Sequence, residues 1–576
     1  MYNIIYSTVL LLCCLVLQSS TSLVSDNRDA DELYKQLHDP AKAKIDVECD
    51  SCILVVETIQ FLTRENRSED EIADAILELC ISLKIEDQVV CSGIVPEFKN
   101  EVLYVFTSIA LGPKEICGAI IGGSCGHYYN PWQQNWTVTL PDKPKPPVEP
   151  LPAPKPDNPI RILHLSDIHV DLLYTEGLTT ECREPLCCRP PNKPVSPAAG
   201  PWGDYLCDVP LATLNDLFEH LNTSKDQFDW VYWTGDLPAH NVWSQTREDQ
   251  LGVIDLLTDQ MKLFFGDKKM YPTLGNHESA PVNSFPPPFI TGKNSNQWLL
   301  NGYQTDFSHW LPSDTASTIK KGGYYSTKLV PGLKLISLNM NYGNNLNWWL
   351  LINSTDPAGQ LQWLINELQE SEDDGEKVHI IGHIPPGGCM DVFRWNYYRI
   401  INRYESTIAG QFFGHTHHDE FQIFYDMVNS SRAFSVAYVG PSVTPYQCNN
   451  PGYRIYEVEG QHDNSSFQMV DHHTYFTNLT EANANNNLTW QFEYSAKEAY
   501  KLDNLHPQEW SKLVDRMKTD DSLFDLFYKY FHRRETTSCT GGCKSGMLCI
   551  LNSCWSHNSS YHNDIYDPYL GDVCTQ

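Results

Sequence analysis

Five apolar runs in the middle of the chain end in side chains that can bind a metal ion. Ile160–Leu165 leads into Asp167 and His169, and Trp230–Trp233 into Gly235-Asp236. Met270–Leu274 precedes Gly275-Asn276-His277-Glu278, Val378–Ile381 precedes Gly382-His383, and Phe412-Phe413 precedes Gly414-His415-Thr416-His417. Short apolar runs bounded by Gly and polar residues predict buried strands opening into loops. All but the first end in Gly, which lets the backbone turn tightly and approach an ion. Leu333–Asn339, Ala433–Val439 and Tyr453–Val458 predict further strands, and helical spacing occupies Leu211–Leu221, Gln250–Phe265 and Gly359–Gln369. This alternation predicts an α/β domain over 161–460.

Outside that span the hydrophobic period is helical. Ile72, Ile76, Leu79 and Leu83, then Val102, Val105 and Ile109, recur at three- and four-residue steps. They share a stretch with Cys49, Cys52, Cys80, Cys91, Cys117 and Cys125. A small helical domain over 45–127 is predicted. A zinc knuckle or redox pair at Cys49 and Cys52 fits less well, because no histidine partners accompany them. Nine prolines in 141–159 mark an extended, semi-rigid linker, set at 128–160. Helical spacing returns at Gln508–Arg516 and Leu523–Phe531 in a Cys-rich C-terminal region, 461–576.

Composition narrows the setting. The 576 residues carry 41 Lys plus Arg against 72 Asp plus Glu, a net charge of −31, which argues against nucleic acid as a partner. Residues 4–17 are apolar, too short to span a bilayer, and followed by small residues, which predicts a signal peptide over 1–22. Sequons stand at Asn66, Asn135, Asn222, Asn353, Asn429, Asn464, Asn478, Asn487 and Asn558. With 19 cysteines, they point to a secreted or lysosomal glycoprotein. No later stretch approaches the ~20 apolar residues of a membrane helix, so a soluble monomer is expected.

Asp167, His169, Asp236, Asn276, His383, His415 and His417 form an imidazole-rich, thiolate-free donor set suited to Zn, Fe or Mn. Taken singly, each histidine is more readily a core or surface residue. Taken in order, the set resembles the calcineurin-like metallophosphoesterases. That resemblance implies two mixed sheets face to face, with helices outside, and two zinc ions sharing the Asp236 carboxylate. It also implies Asp167, His169 and His417 at one ion and Asn276, His383 and His415 at the other. His277 cannot easily reach the ion of its neighbour Asn276, and His240 lies one short turn beyond Asp236. Either is a candidate general acid.

A six-cysteine helical module, a Pro-rich linker, a phosphoesterase domain and a Cys-rich tail, in that order, resemble the acid sphingomyelinase family. Residues 235–240, 351–357, 382–387 and 412–417 carry the likeness. It implies a saposin B-type module with Cys49–Cys125, Cys52–Cys117 and Cys80–Cys91, a pairing that spacing alone leaves open. It further implies a metal-dependent phosphodiesterase that hydrolyses sphingomyelin in a membrane surface to ceramide and phosphocholine. Two alternatives are a phosphodiesterase for nucleotides or other soluble diesters, whose relatives lack the saposin module, and a non-enzymatic lipid-transfer protein. The intact ligand set counts against the last. Aromatic candidates for the choline ammonium are Trp348, Trp349, Trp395 and Tyr397.

Among the other cysteines, Cys182, Cys187, Cys188 and Cys207 predict two local bridges. Cys539–Cys543 and Cys549–Cys554 follow, with Cys574 left over. The family pairs a cysteine just after Leu338–Asn341 with the one matching Cys389. Here that position is Gly343, so Cys448 becomes the expected partner of Cys389.

Overall fold

The computed structural model describes residues 47–552 except 83–85, 122–124, 126–135, 151, 536–538 and 541. The expected signal peptide, Leu83, Asn135, Asn558, Cys554 and Cys574 lie outside the described residues.

The apolar runs form strands, in chain order β1 (Ile160–Leu165), β2 (Val170–Asp171), β3 (Val209–Pro210), β4 (Trp230–Trp233), β5 (Lys269–Pro272), β6 (Tyr325–Val330) and β7 (Leu333–Ser337). There follow β8 (Lys377–Ile381), β9 (Ile408–Phe413), β10 (Glu420–Tyr425), β11 (Ala433–Val439), β12 (Gly452–Val458), β13 (Met469–Phe476) and β14 (Gln491–Ser495). They build two mixed six-stranded sheets, ordered β14-β13-β12-β1-β4-β5 and β10-β11-β9-β8-β7-β6. The sheets meet face to face. Tyr232 of the first donates or accepts at His379 Nδ1 of the second (2.8 Å), and its ring lies 5.1 Å from that of Phe412. β1, β4 and β5 run parallel, as do β7, β8, β9 and β11. Every predicted ligand therefore follows the C-terminal end of a parallel strand.

The first sheet runs on past Gly460. β13 and β14 lie in the sequon-rich stretch expected outside the α/β domain, and they pair antiparallel onto β12. β13 buries His472 and Thr474 on its inward face, so polar residues conceal its alternation. Helices at Pro507–Thr519 and Asp521–Phe531 follow, and the first seats Trp510 against Phe421 of the second sheet (4.4 Å).

At the N-terminus α1 (Val47–Arg64), α2 (Glu69–Ser82), α3 (Gln88–Ser108) and α4 (Pro113–Ile121) are stapled by Cys49–Cys125, Cys52–Cys117 and Cys80–Cys91. Cys182–Cys187, Cys188–Cys207 and Cys539–Cys543 also form as expected. The Cys389–Cys448 bridge does not: Cys389 keeps a buried free thiol, while Cys448 is in a different disulfide. Gly343 does stand beside Cys389, since Met390 N donates to Gly343 O at 2.7 Å. A Cβ at Gly343 would meet the Phe393 ring at 2.5 Å, so that ring occupies the space a second cysteine would need.

The linker is extended but tied down. Val138 N donates to Asn396 Oδ1 (2.9 Å), Lys143 pairs with Asp373 (2.5 Å), Lys145 with Glu405 (3.3 Å), and Lys155 N donates to Glu459 (2.9 Å). From Val138 onward it is a strap on the phosphoesterase surface, which shortens the reach of the helical module.

Candidate active site

The strand ends bring all seven predicted ligands together. Asp236 Oδ2 lies 3.0 Å from His383 Nε2 and 3.4 Å from His169 Nε2. Asn276 Oδ1 approaches His383 Nε2 at 3.1 Å. His417 Nε2 lies 3.1 Å from His169 Nε2 and 3.6 Å from Asp167 Oδ1. His415 completes a second group with Asp236 and His383, their donor atoms within 4.8 Å of one another. All are buried except His415, which is half-buried.

The backbone is strained to achieve this. Asp167, His169, Asp236, His415 and His417 have φ of 51°, 44°, 57°, 74° and 62°. Left-handed backbone at five non-glycine residues costs energy, and such strain gathers at functional sites. The glycine at 275 serves close approach rather than turning. A Cβ there would lie 2.1 Å from Asp236 Oδ1.

The ring hydrogen bonds identify which nitrogens face inward. His169 Nδ1 lies 2.8 Å from Pro238 O, and His383 Nδ1 lies 2.6 Å from Thr234 O. Only a protonated Nδ1 can donate to a carbonyl, so each Nε2 presents a lone pair to the cluster. In its neutral form His383 would set Nε2 against Asp236 Oδ2 and Asn276 Oδ1 acceptor to acceptor, a repulsion that a bound cation, or a second proton on His383, resolves. Burial opposes positive charge on His383, yet Asp236 and then Asp167 outweigh it and lift its pKa to about 9. The pocket demands positive charge, and its oxygen and imidazole donors fit divalent metal ions.

His240 and His277 enter the same cluster. Their ring centroids lie 3.9 and 4.8 Å from His169 and 4.6 Å from each other. Each comes within ligand reach, His240 beside His169 and His417, His277 beside His169 and Asp236. Burial chiefly holds both below the usual histidine range, with Asp208 opposing it for His240 and Asp236 for His277.

Three residues here carried no sequence signal. Asp208 accepts from His240 Nδ1 (2.8 Å), His240 N (2.6 Å) and Thr444 Oγ1 (3.1 Å). Arg533, fully buried, reaches in from the C-terminal region to donate to His417 O (2.9 Å) and Ser442 Oγ (2.8 Å). Tyr446 lays its ring 4.5 Å from His240. The proposed choline aromatics are engaged elsewhere. Tyr397 is in the core, 2.6 Å from Gln411, and Trp395 sits 5.9 Å from the Arg399 guanidinium. Trp348 and Trp349 pack against Phe106 and Tyr104 of α3.

Two family matches divide the chain between them. The calcineurin-like phosphoesterase family matches residues 160–419, and the acid sphingomyelin phosphodiesterase C-terminal region matches 428–569. The sphingomyelin phosphodiesterase of Bos taurus is 46% identical over 536 residues, 91% of this chain and 85% of its own. The chain belongs to the sphingomyelin phosphodiesterase family. The Homo sapiens member is also 46% identical, over 87% of this chain and 80% of its own. Arg533 falls inside the C-terminal match, so in this family member the region beyond the α/β domain helps to hold the site. The Homo sapiens protein cyclic GMP-AMP phosphodiesterase SMPDL3A is 31% identical over 71% of this chain and 90% of its own.

Proposed function

We propose that this protein hydrolyses sphingomyelin in a membrane surface, releasing ceramide and phosphocholine. The observation that carries the reading is a complete donor cluster in a chain that matches sphingomyelin phosphodiesterases over 91% of its length. Asp167, His169 and His417 would hold one divalent ion and Asn276, His383 and His415 the other, with Asp236 shared. The family resemblance favours zinc in both places. Bound there, two such ions polarise a phosphoryl group and activate water.

The chain's own groups supply orientation and a proton. His277 N holds Asp236 Oδ1 at 2.9 Å, which fixes the carboxylate's rotation. Ceramide departs as a primary alkoxide, a poor leaving group that needs a proton. His240 and His277 are the two imidazoles in reach, and such a transfer contributes roughly 10²–10⁴ in rate. Asp208 fixes His240 through Nδ1, leaving Nε2 to carry the exchangeable proton. The stapled helices α1–α4 read as a saposin B-type module that presents lipid to this site. A secreted or lysosomal monomer acting peripherally fits the sequons, and no helix among the described residues is long and apolar enough to cross a membrane.

A soluble diester substrate is the second reading, favoured by the likeness to the cyclic GMP-AMP phosphodiesterase, which covers less of the chain. Turnover on sphingomyelin liposomes and on a nucleotide diester, each with and without chelator, separates them. Chelator-sensitive release of phosphocholine is expected. A preference for the nucleotide diester overturns the proposal.

A further inference from the structure

α3 is the helix that joins the N-terminal module to the phosphoesterase domain, and it carries two carboxylates into the joint. Gly93 lies so close that a Cβ would sit 1.9 Å from Trp243 O. Farther along, Phe106 stacks on Trp348 (5.9 Å) and Tyr104 meets Trp349 (5.4 Å). Gly93, Glu97 and Glu101 follow at four-residue steps, so one helix face presents all three to the other domain. Glu101 is only 4% exposed.

Among the described residues no cation answers either carboxylate. Glu97 meets the Gln245 backbone and faces the like charge of Asp249. Glu101 meets Ser284 and Trp349. Glu97 Oε1 and Glu101 Oε2 lack hydrogen-bond partners among the described residues. The basic groups nearby are spent elsewhere. Lys293 Nζ donates to Asn100 Oδ1 (2.8 Å), and Arg247 donates to Lys293 O (2.9 Å) and stacks over Trp298 (5.3 Å). Lys99 of α3 pairs with Asp70 of α2 (2.6 Å). Residues 281–290 and 348–351, which also wall the joint, carry no charge, and Glu86 faces Tyr446.

We infer that this joint is an acid-held latch: with Glu97 and Glu101 protonated the N-terminal module docks on the phosphoesterase domain, and their ionisation releases it. A protonated carboxyl enters the seam as one polar group, whereas a carboxylate brings an uncompensated buried charge. Burial accordingly pushes Glu97 up to about 8 and Glu101 up to about 7. Both values lie above those of solvated glutamates, near 4.3, so the docked state binds more protons. Docking is then fully favoured below pH ~4.3 and weakens as pH rises through the docked values. Between pH 5 and 7.5 the docking equilibrium should fall on the order of 10⁴-fold, about 10² from each carboxyl. The latch rests on packing alone and holds whatever the substrate.

Small-angle scattering of the full glycosylated chain at pH 5 and pH 7.5 tests it without any substrate. Wild type should expand at pH 7.5, while the Glu97→Gln/Glu101→Gln double variant stays compact at both. Hydrogen exchange along α3, corrected for intrinsic rates, should show protection lost at pH 7.5 in wild type alone. Wild type equally compact and protected at both pH values overturns the latch. So does a double variant that opens as wild type does.

Discussion

Alanine at Gly275 would place the smallest side chain where the site leaves no room. Its Cβ would lie 2.1 Å from Asp236 Oδ1, 2.4 Å from Asp236 N and 2.6 Å from Glu278 Oε2. Real Cβ contacts essentially never fall under 3.0 Å, so the carboxylate or the end of β5 must retreat. A retreat of roughly 1 Å in a catalytic constellation costs on the order of 10²-fold in rate. Asp236 cannot swing aside freely, because His277 N holds Oδ1 at 2.9 Å and His383 Nε2 faces Oδ2 at 3.0 Å. Overpacking of this kind costs about 1–3 kcal/mol of stability, less than the ~5–15 kcal/mol that holds a domain folded. The variant should therefore fold and melt cooperatively, yet release phosphocholine from sphingomyelin vesicles on the order of 10²-fold slower. Metal content should be read on the same samples. Wild-type turnover from Gly275→Ala would refute the placement of Asp236 at the reacting centre.

Asp208→Asn should leave His240 in place but weaken its hold on a proton, lowering turnover on sphingomyelin by about 10-fold or more and moving the acid-side pH profile. An unchanged pH profile would make Asp208 structural only. His277→Ala should slow departure of an alkoxide far more than departure of a nitrophenolate, which needs little protonation; equal losses on both would point to phosphoryl binding instead. On the lipid side, Glu69, Asp70 and Glu71 open α2 with exposed negative charge. Lys99 holds Asp70 below the usual carboxylate range and Ser68 does so for Glu71, so this charge persists into acid and is lost only as pH falls through those lowered values. Replacing the three by Gln or Asn should let anionic liposomes bind at higher pH, as co-sedimentation at low salt would show; an unshifted binding curve would dismiss the charge as a barrier.

Much of the fold could be read from period and spacing because those features are local. Ala433–Val439 and Ile160–Leu165 alternate with turn residues as buried strands must, and both form as expected. Ligand positions were legible because each sits two to four residues past such a run. β13 was not, since His472 and Thr474 occupy its buried face. Asp208 and Arg533 were silent for a different reason. Each meets the site through contacts 32 or more residues away along the chain, and no local pattern marks an acid beside a cysteine or an arginine after a helix. Trp348 and Trp349 show the converse. Aromatic character was visible, but only the docked α3 reveals that their rings are already occupied. The missing Cys389 bridge depended on a tertiary fact as well, the Phe393 ring against Gly343.

Asp236 offers the most direct test of a shared two-metal centre. Metal-stripped wild type and Asp236→Asn would each be given zinc, freed of excess, and assayed for bound ions by mass spectrometry and for turnover on sphingomyelin vesicles. Wild type should take up about two ions per chain and regain activity, because both need the shared carboxylate. Asp236→Asn should remain folded, retain fewer ions and release almost no phosphocholine. Full turnover by Asp236→Asn, or by wild type stripped of metal, would contradict the account.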